Sequence, residues 1–318
     1  MKWPDLNPAL MQWAETRGYR AVWTSATAVV KAFERIATLK SEGVIDGNLY
    51  RQFLSWADDP KSLPSSEEKS IIVVAVPRSA HVVTFDYRGK SFELILPPTY
   101  YDYRGLFEEV RESLETLFEH RFALRKITAP LKSLAAVTGL SRYGLNNIAY
   151  VDGCGSYAQL MAFATPVEVE GHDVRLSAEP RVLDECVDCG ACHRVCPVEA
   201  IHPDRFLLHA ERCLTYFSEL EGALPDEYGA LKKSCMVGCM ACQMACPVNK
   251  GRLHLEKLDV HFTEEETEYL TGNDTGQPES SIRSKVAALK SMEFDISTGR
   301  PDTTLRRNLR TVLGQRVR

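Results

Sequence analysis

An α/β (α+β) domain followed by a small cysteine-rich domain is the architecture that this 318-residue sequence predicts. Three observations lead there. Hydrophobic periods of two and of 3.6 residues alternate from the N-terminus to about residue 177. Nine of the ten cysteines then crowd between Cys186 and Cys246. After them the composition turns acidic over Glu264–Ser281 and basic over Arg300–Arg318. The expected divisions are therefore 1–177, 178–255, and an acidic linker with a basic tail over 256–318.

Leu10–Tyr19 has a helical period that stops at Gly18, and Ala26–Ser41 repeats it with Gly43 as its stop. Glycine closes helices well because it accepts the left-handed conformation there. Ser70–Val76 is a continuous β-branched run of the kind that a sheet buries on both faces. His81–Asp86 and Ser91–Leu96 flank Tyr87-Arg88-Gly89-Lys90 and read as a hairpin, ended by Pro97-Pro98. Tyr103–His120 carries a helical stripe through Leu106, Val110, Leu114, Leu117 and Phe118. Pro130–Val137 is a further helix, stopped by Gly139, and Ser156–Thr165 and Val167–Leu176 read as strands. Glu264–Ser281 has six acids, no base, two glycines and a proline, and reads as a solvated linker. The six arginines of Arg300–Arg318 read as a solvated surface helix.

A net charge of −5 argues against general binding to nucleic acid or to a membrane surface. Met1–Tyr19 lacks a positive segment leading into an apolar run, so no export signal is expected. No stretch reaches the roughly 18 apolar residues of a membrane span. Cysteines in such a chain point to a metal site in a reducing, cytoplasmic setting rather than to disulfides.

Cys186-x2-Cys189-x2-Cys192-x3-Cys196-Pro197 has the spacing of a bacterial ferredoxin run. Three thiolates two residues apart wrap one corner of a cubane, and Gly190 supplies the turn. The fourth cysteine is carried away to the other cluster. Cys239-x2-Cys242-x3-Cys246-Pro247 repeats the ending but lacks one ligand, which either Cys213 or Cys235 must supply. Ferredoxin logic gives Cys186, Cys189, Cys192 and Cys246 to cluster 1. Cys196, Cys239, Cys242 and one further cysteine hold cluster 2. Soft thiolates, two Cys-Pro endings and the crossed pattern favour two [4Fe–4S] clusters over four-cysteine zinc sites. Cys154, between Gly153 and Gly155, reads as a bystander. The chain is expected to move electrons at low potential, received from a ferredoxin- or flavodoxin-type donor.

Other segments precede the cysteines in a fixed order. They are Ile71–Val76, then Tyr101-Asp102-Tyr103-Arg104 before a long helix, then Ala129-Pro130 leading to Gly139-Leu140-Ser141-Arg142-Tyr143-Gly144-Leu145-Asn146-Asn147, and Gly155-Ser156-Tyr157. With the cysteines, they make the stretch from about Ser70 to Lys250 resemble epoxyqueuosine reductase, the cobalamin and iron–sulfur enzyme of tRNA queuosine synthesis. The resemblance places Cys213, which is followed by Leu214-Thr215-Tyr216, on cluster 2 and leaves Cys235 spare. It implies a nitroreductase-like domain that cradles cobalamin with its base detached from cobalt, fed by the ferredoxin-like module. Reductive dehalogenases share that plan. The residues it implies at the cofactor are Asp102, Tyr103, Gly139, Leu140, Gly144, Asn146, Gly155, Ser156, Tyr157 and Thr215.

Three features depart from the family pattern. The family has a catalytic Asp three residues before the proline, where this chain has Ile127, and isoleucine has no proton to give. Leu145 stands in place of the family's lysine. The helical-repeat domain that helps hold tRNA has no visible counterpart in the 68 residues after Lys250. The expectation is a paralogue acting on a small or unusual substrate, with tRNA an unlikely partner. Tyr103, Tyr143 and Lys126 are the candidate replacement acids. Two other readings stand beside it: an electron-transfer protein or reductive activator without corrinoid, and a true epoxyqueuosine reductase with a displaced acid.

Overall fold

The computed structural model describes residues 6–168, 176, 181–222, 224, 234–272, 279–290, 294–295, 300–301 and 303–316. Helix and sheet are mixed, as the sequence predicts, and the chain forms two compact units whose segments interleave along the sequence. The first comprises Met1–Pro77, Gly105–His193 and Ile201–Ala210; the second comprises Arg78–Arg104, Arg194–Ala200 and Glu211–Arg318.

The first unit is built on an antiparallel sheet in the order β1 (Arg20–Ser25), β2 (Ser70–Pro77), β8 (Ala158–Thr165), β5 (Arg125–Lys126). The expected strand Ser70–Val76 is its centre, paired on both sides. Alternation along β2 sorts two cores, because successive side chains point to opposite faces. Ile72, Val74 and Val76 pack with the Asn7–Thr16 and Tyr103–Leu117 helices. Ile71 and Val73 pack with the Thr27–Ser41 and Leu131–Val137 helices. A small hairpin of β6 (Ser141–Tyr143) and β7 (Ala149–Val151) completes the unit. The expected strand Val167–Leu176 lies mostly outside the described residues.

The second unit holds the hairpin of β3 (Ala80–Tyr87) and β4 (Lys90–Leu96), with β9 (Leu255–Phe262) parallel to β3. Arg88 and Gly89 both have positive φ, the two-residue turn whose twist matches the strands. The sequence groups this hairpin with residues 1–177, whereas its core residues Val83, Phe85, Leu94 and Leu96 pack with C-terminal helices.

Those helices correct the reading of the C-terminal region. Glu264–Thr271 is helical, not a linker. Thr263 and Glu266 form a reciprocal capping box, so the run of acids that suggested a solvated segment is the favourable first turn of a helix. Ser280–Leu289 is a second helix. Thr303–Arg316 is a third, and it is no surface helix: Leu305, Leu309, Val312 and Leu313 lie within the core. Three of its arginines cap other helices. Arg307 donates to the carbonyls of Phe217, Leu220 and Gly222, at the end of the Leu214–Glu219 helix. Arg306 and Arg310 donate to Tyr269, Gly272 and Thr271, at the end of the 264–271 helix. Those carbonyls have no intrahelical donor, and a cation there also complements the helix dipole.

Leu309→Ala should destabilise the protein by about 2–5 kcal/mol, because it opens a cavity in a fully buried site. Thr303→Ala, on the exposed side, should change it by no more than about 0.5 kcal/mol. Denaturant unfolding followed by circular dichroism measures both.

Candidate functional site

In the first unit the cysteine run begins on a succession of tight turns. Cys186 N–H donates to Leu183, Val187 to Asp184, and Cys189 to Cys186. Gly190 has φ +56°, a conformation open to glycine, and the Ala191–Val195 helix follows. Cys186, Cys189 and Cys192 are half-exposed thiols. This run is tied to the small hairpin. Tyr143 N–H donates to the Arg181 carbonyl at 2.8 Å, and Leu183 N–H donates to the Tyr143 carbonyl at 2.8 Å.

In the second unit the two Cys-Pro endings make the same turn. Glu199 N–H donates to the Cys196 carbonyl, and Asn249 N–H to that of Cys246. Ala200 N–H also reaches the Cys196 Sγ at 3.2 Å. Cys213 caps the Leu214–Glu219 helix. Burial pushes its thiol up, while the amide and hydroxyl of Thr215 and the amide of Tyr216 hydrogen-bond to the sulfur and pull it down. Cys196 lies near enough to act on it electrostatically. Thr215, expected at the cofactor, thus serves the Cys213 sulfur. Gly238, just before Cys239, has φ +66° and donates to Ser218 Oγ at 2.7 Å. Cys235 differs in setting: it is buried, its backbone bridges Ile95 of β4, and Met236 and Val237 beside it are core residues.

None of the ten cysteines is in a disulfide. Among the described residues, no three His, Cys, Asp or Glu side chains converge closely enough to hold a single metal ion. A mononuclear zinc site would need sulfurs about 4 Å apart.

Most of the residues expected at a corrinoid gather in the first unit. Gly139 has φ +75° and open space where a side chain would stand. Gly144 is a packing requirement instead, since a Cβ there would lie 2.5 Å from the Tyr150 ring and 2.6 Å from Asn146 Oδ1. Asn146 is held inside the hairpin by Tyr150 Oη and Ile148 N–H. Gly155 pairs with Val151, and Ser156 and Tyr157 are buried beside it. Leu140 is half-buried. Ser141 Oγ, Asn147 Nδ2 and Arg35 Nε are buried without a hydrogen-bond partner among the described residues. An open glycine and unpartnered polar atoms fit a large ligand rich in amides.

The candidate acids separate. Tyr143 is buried, hydrogen-bonded to Ser133 and near Arg35, with its ring edge-on to Phe206 at 5.2 Å. Burial pushes its hydroxyl up to about 12, against the pull of Arg35 and Ser133. Lys126 is exposed on the edge strand, its ammonium 4.5 Å from the centre of the Phe107 ring. Asp102 and Tyr103 fall in the second unit, where Asp102 has φ +45° and is paired with Lys290 at 2.8 Å. Ile127 is a core residue, packed with Val29, Phe33 and Leu134.

Sequence reasoning missed His81, which is 5% exposed at the start of β3. Its ring stacks on Tyr101 with centroids 3.8 Å apart, and its Nε2 is 3.5 Å from Glu256. Nothing local marks it, because Glu256 is 175 positions further along the chain.

Residues 185–249 match the family described as a 4Fe-4S double cluster binding domain. The chain is therefore an iron–sulfur protein. Epoxyqueuosine reductase from Lactococcus garvieae is 33% identical over 120 residues, 37% of this chain and 32% of that protein. The enzyme from Staphylococcus aureus is 22% identical over 266 residues, 80% of this chain and 67% of that protein. A crystal structure of epoxyqueuosine reductase with a tRNA-Tyr epoxyqueuosine-modified stem loop has the same fold. Its TM-score is 0.64 at 18% identity, covering 98% of this chain and 81% of that one. Within the iron–sulfur class, what the chain is similar to over most of its length is epoxyqueuosine reductase. The matched stretch spans only about a third of the first of these relatives.

This overturns the expectation that tRNA is an unlikely partner, for the same fold holds a tRNA stem loop in that crystal structure. The net charge of −5 misled because it sums the whole chain and says nothing of any one surface. No helix among the described residues is long and apolar enough to cross a membrane.

Cys213→Ser should lower the iron content of anaerobically reconstituted protein well below that of the unaltered chain, whereas Cys235→Ser and Cys154→Ser should not; colorimetric iron assay decides. Burial holds His81 below its ordinary value of 6.5. The unfolded chain therefore takes up this proton first. The stability due to neutral His81 is complete above about pH 6.5 and is lost as pH falls towards the folded value. His81→Gln should flatten that part of the pH–stability curve in urea melts.

Proposed function

We propose that the chain is a cytoplasmic, cobalamin-dependent iron–sulfur reductase acting on a modified nucleoside in a tRNA stem loop, with Tyr143 as its proton donor. The observation that carries this reading is the pair of hydrogen bonds joining Tyr143 to the 181–183 segment. They join the backbone of Tyr143 to Leu183, three residues before Cys186, and Tyr143 belongs to the hairpin that the expected corrinoid residues Gly139, Leu140, Gly144, Asn146 and Gly155 line or flank. Eight cysteines hold two clusters in the crossed quartets, with Cys213 completing cluster 2. Gly139, Leu140, Ser141 and Asn147 would hold the corrinoid. The chemistry supplied by a bound cobalamin is two-electron reduction at a carbon–oxygen bond.

The oxygen released from carbon needs a proton from a donor within hydrogen-bond reach. Ile127 has none to give. Tyr143, pushed up to about 12, keeps its proton at neutral pH until a strong base develops beside it. Arg35 and the Ser133 hydroxyl then stabilise the phenolate that is left. Lys126 lacks such an enclosure. The tRNA stem loop enters this reading through the likeness to the crystal structure that holds one.

Cluster-replete protein given cobalamin should convert an epoxyqueuosine-modified tRNA-Tyr stem loop, read by mass spectrometry of the nucleosides. Tyr143→Phe should keep its iron and corrinoid while turnover falls by about 10²-fold or more. Full activity in that variant would overturn the assignment of the acid. No corrinoid retained in equilibrium dialysis would overturn the cofactor.

A further inference from the structure

We infer that Ser218 is a positioning residue for cluster 2, its hydroxyl clasping the segment that carries Cys239 to the helix that begins after Cys213. The inference rests on the assignment of that cluster to Cys196, Cys213, Cys239 and Cys242 in the reading above. Every group it invokes belongs to the second unit. Ser218 is fully buried. Its Oγ accepts from the Gly238 N–H at 2.7 Å and donates to the Thr215 carbonyl at 2.9 Å. Each of these partners stands one step from a thiol. Gly238 is bonded to Cys239 and takes φ +66°, so the chain turns sharply just before that ligand. Thr215 holds the Cys213 sulfur through its amide and its hydroxyl. One hydroxyl therefore joins two ligands that come from separate segments.

The clasp is itself held. Asn308, also fully buried, donates from Nδ2 to the Ser218 carbonyl at 2.8 Å, and Arg307 donates to that of Phe217 at 2.7 Å. Tyr100 donates its hydroxyl to Glu219, the last residue of the same helix. That hydroxyl also lies 3.3 Å from where a Cβ on Gly238 would stand. Gly238 thus meets the helix end twice, at Ser218 Oγ and through Tyr100.

A cubane is lost from one corner, when a sulfur moves off its iron. Two thiols on separate segments keep their separation only if the segments are tied, and groups behind the ligands do that work at metal sites generally. A buried hydrogen bond is an effective tie, because breaking it strands a donor where water cannot replace the acceptor. Ser218→Ala would leave the Gly238 N–H in that state and let Cys239 drift from Cys213. Oxidative loss of one iron reports such drift. The [4Fe–4S]2+ cluster gives one electron to ferricyanide and one Fe2+ to solution, and [3Fe–4S]+ remains, with an EPR signal of its own.

The test follows that conversion by EPR after ferricyanide is added to the full, reconstituted chain without corrinoid or substrate. The signal altered in Cys213→Ser marks cluster 2. Ser218→Ala should convert cluster 2 about tenfold faster than the unaltered chain, the rate equivalent of one hydrogen bond at about 1.4 kcal/mol, while cluster 1 is unchanged. Ser218→Thr, which keeps the hydroxyl, should stay near the unaltered rate. Tyr100→Phe, which cuts the tie to Glu219 at a half-buried place, should move the rate the same way by a smaller factor. Thr271→Val deletes a buried hydroxyl of the same unit that bonds within its own helix, and it should leave the rate as it was. An unaltered rate in Ser218→Ala, or an equal acceleration in Thr271→Val, would overturn the role of Ser218 while leaving the clusters in place. No change in either cluster signal in Cys213→Ser would overturn the cluster assignment and Ser218 with it.

Discussion

Two backbone hydrogen bonds hold the organisation of the first unit, those that Tyr143 exchanges with Arg181 and Leu183. The thiols of a cluster loop cannot be placed by hydrophobic packing, because the turns that present them are half-exposed and bury little. Something rigid must fix where the loop begins. Here it is β6, itself fixed by pairing with β7 and by the close approach of Gly144 to Tyr150. A buried α/β sandwich thereby passes its rigidity to a segment with no core of its own. The buried phenol of Tyr143 shares that rigidity.

The second unit meets the same difficulty with charge. The Leu214–Glu219 helix, which Cys213 caps, is short and ends in carbonyls without donors. Arg307 supplies those donors from a helix that is some ninety residues distant in sequence and is anchored by Leu305 and Leu309. Arg306, Arg307 and Arg310 are therefore committed to carbonyls inside the protein. An acidic first turn and an arginine-rich helix, opposite in composition, belong to one packed structure.

Ser70–Val76 and Tyr103–His120 were legible because an apolar run and a helical stripe show in the sequence, whereas the strand Arg20–Ser25 and the hairpin of Ser141–Tyr143 and Ala149–Val151 were not. The cysteine run was legible because ligand spacing is a local property. Legibility failed where a signal had two physical meanings. Glu264, Glu265 and Glu266 suit a solvated linker and a helix N-terminus equally by composition, and only the Thr263–Glu266 reciprocity separates them. It failed also where a side chain's setting depends on distant partners, as with His81 and Glu256 or Tyr143 and Arg35. The glycines were legible as turns but not in their separate duties, since Gly139 opens a space and Gly144 closes one.

The Thr303–Arg316 helix has a bearing on how this protein could have been assembled over evolution. The cluster-binding segment is contiguous in sequence, which invites the picture of a cassette copied from one chain to another. Yet the helix carrying Cys213 ends on carbonyls satisfied by Arg307, and the strand beside Cys235 belongs to a hairpin from residues 80–96. A transplanted 185–249 segment would arrive without either support. A change in the last helix would therefore be felt at the helix that Cys213 caps, although the two lie some ninety residues apart in sequence.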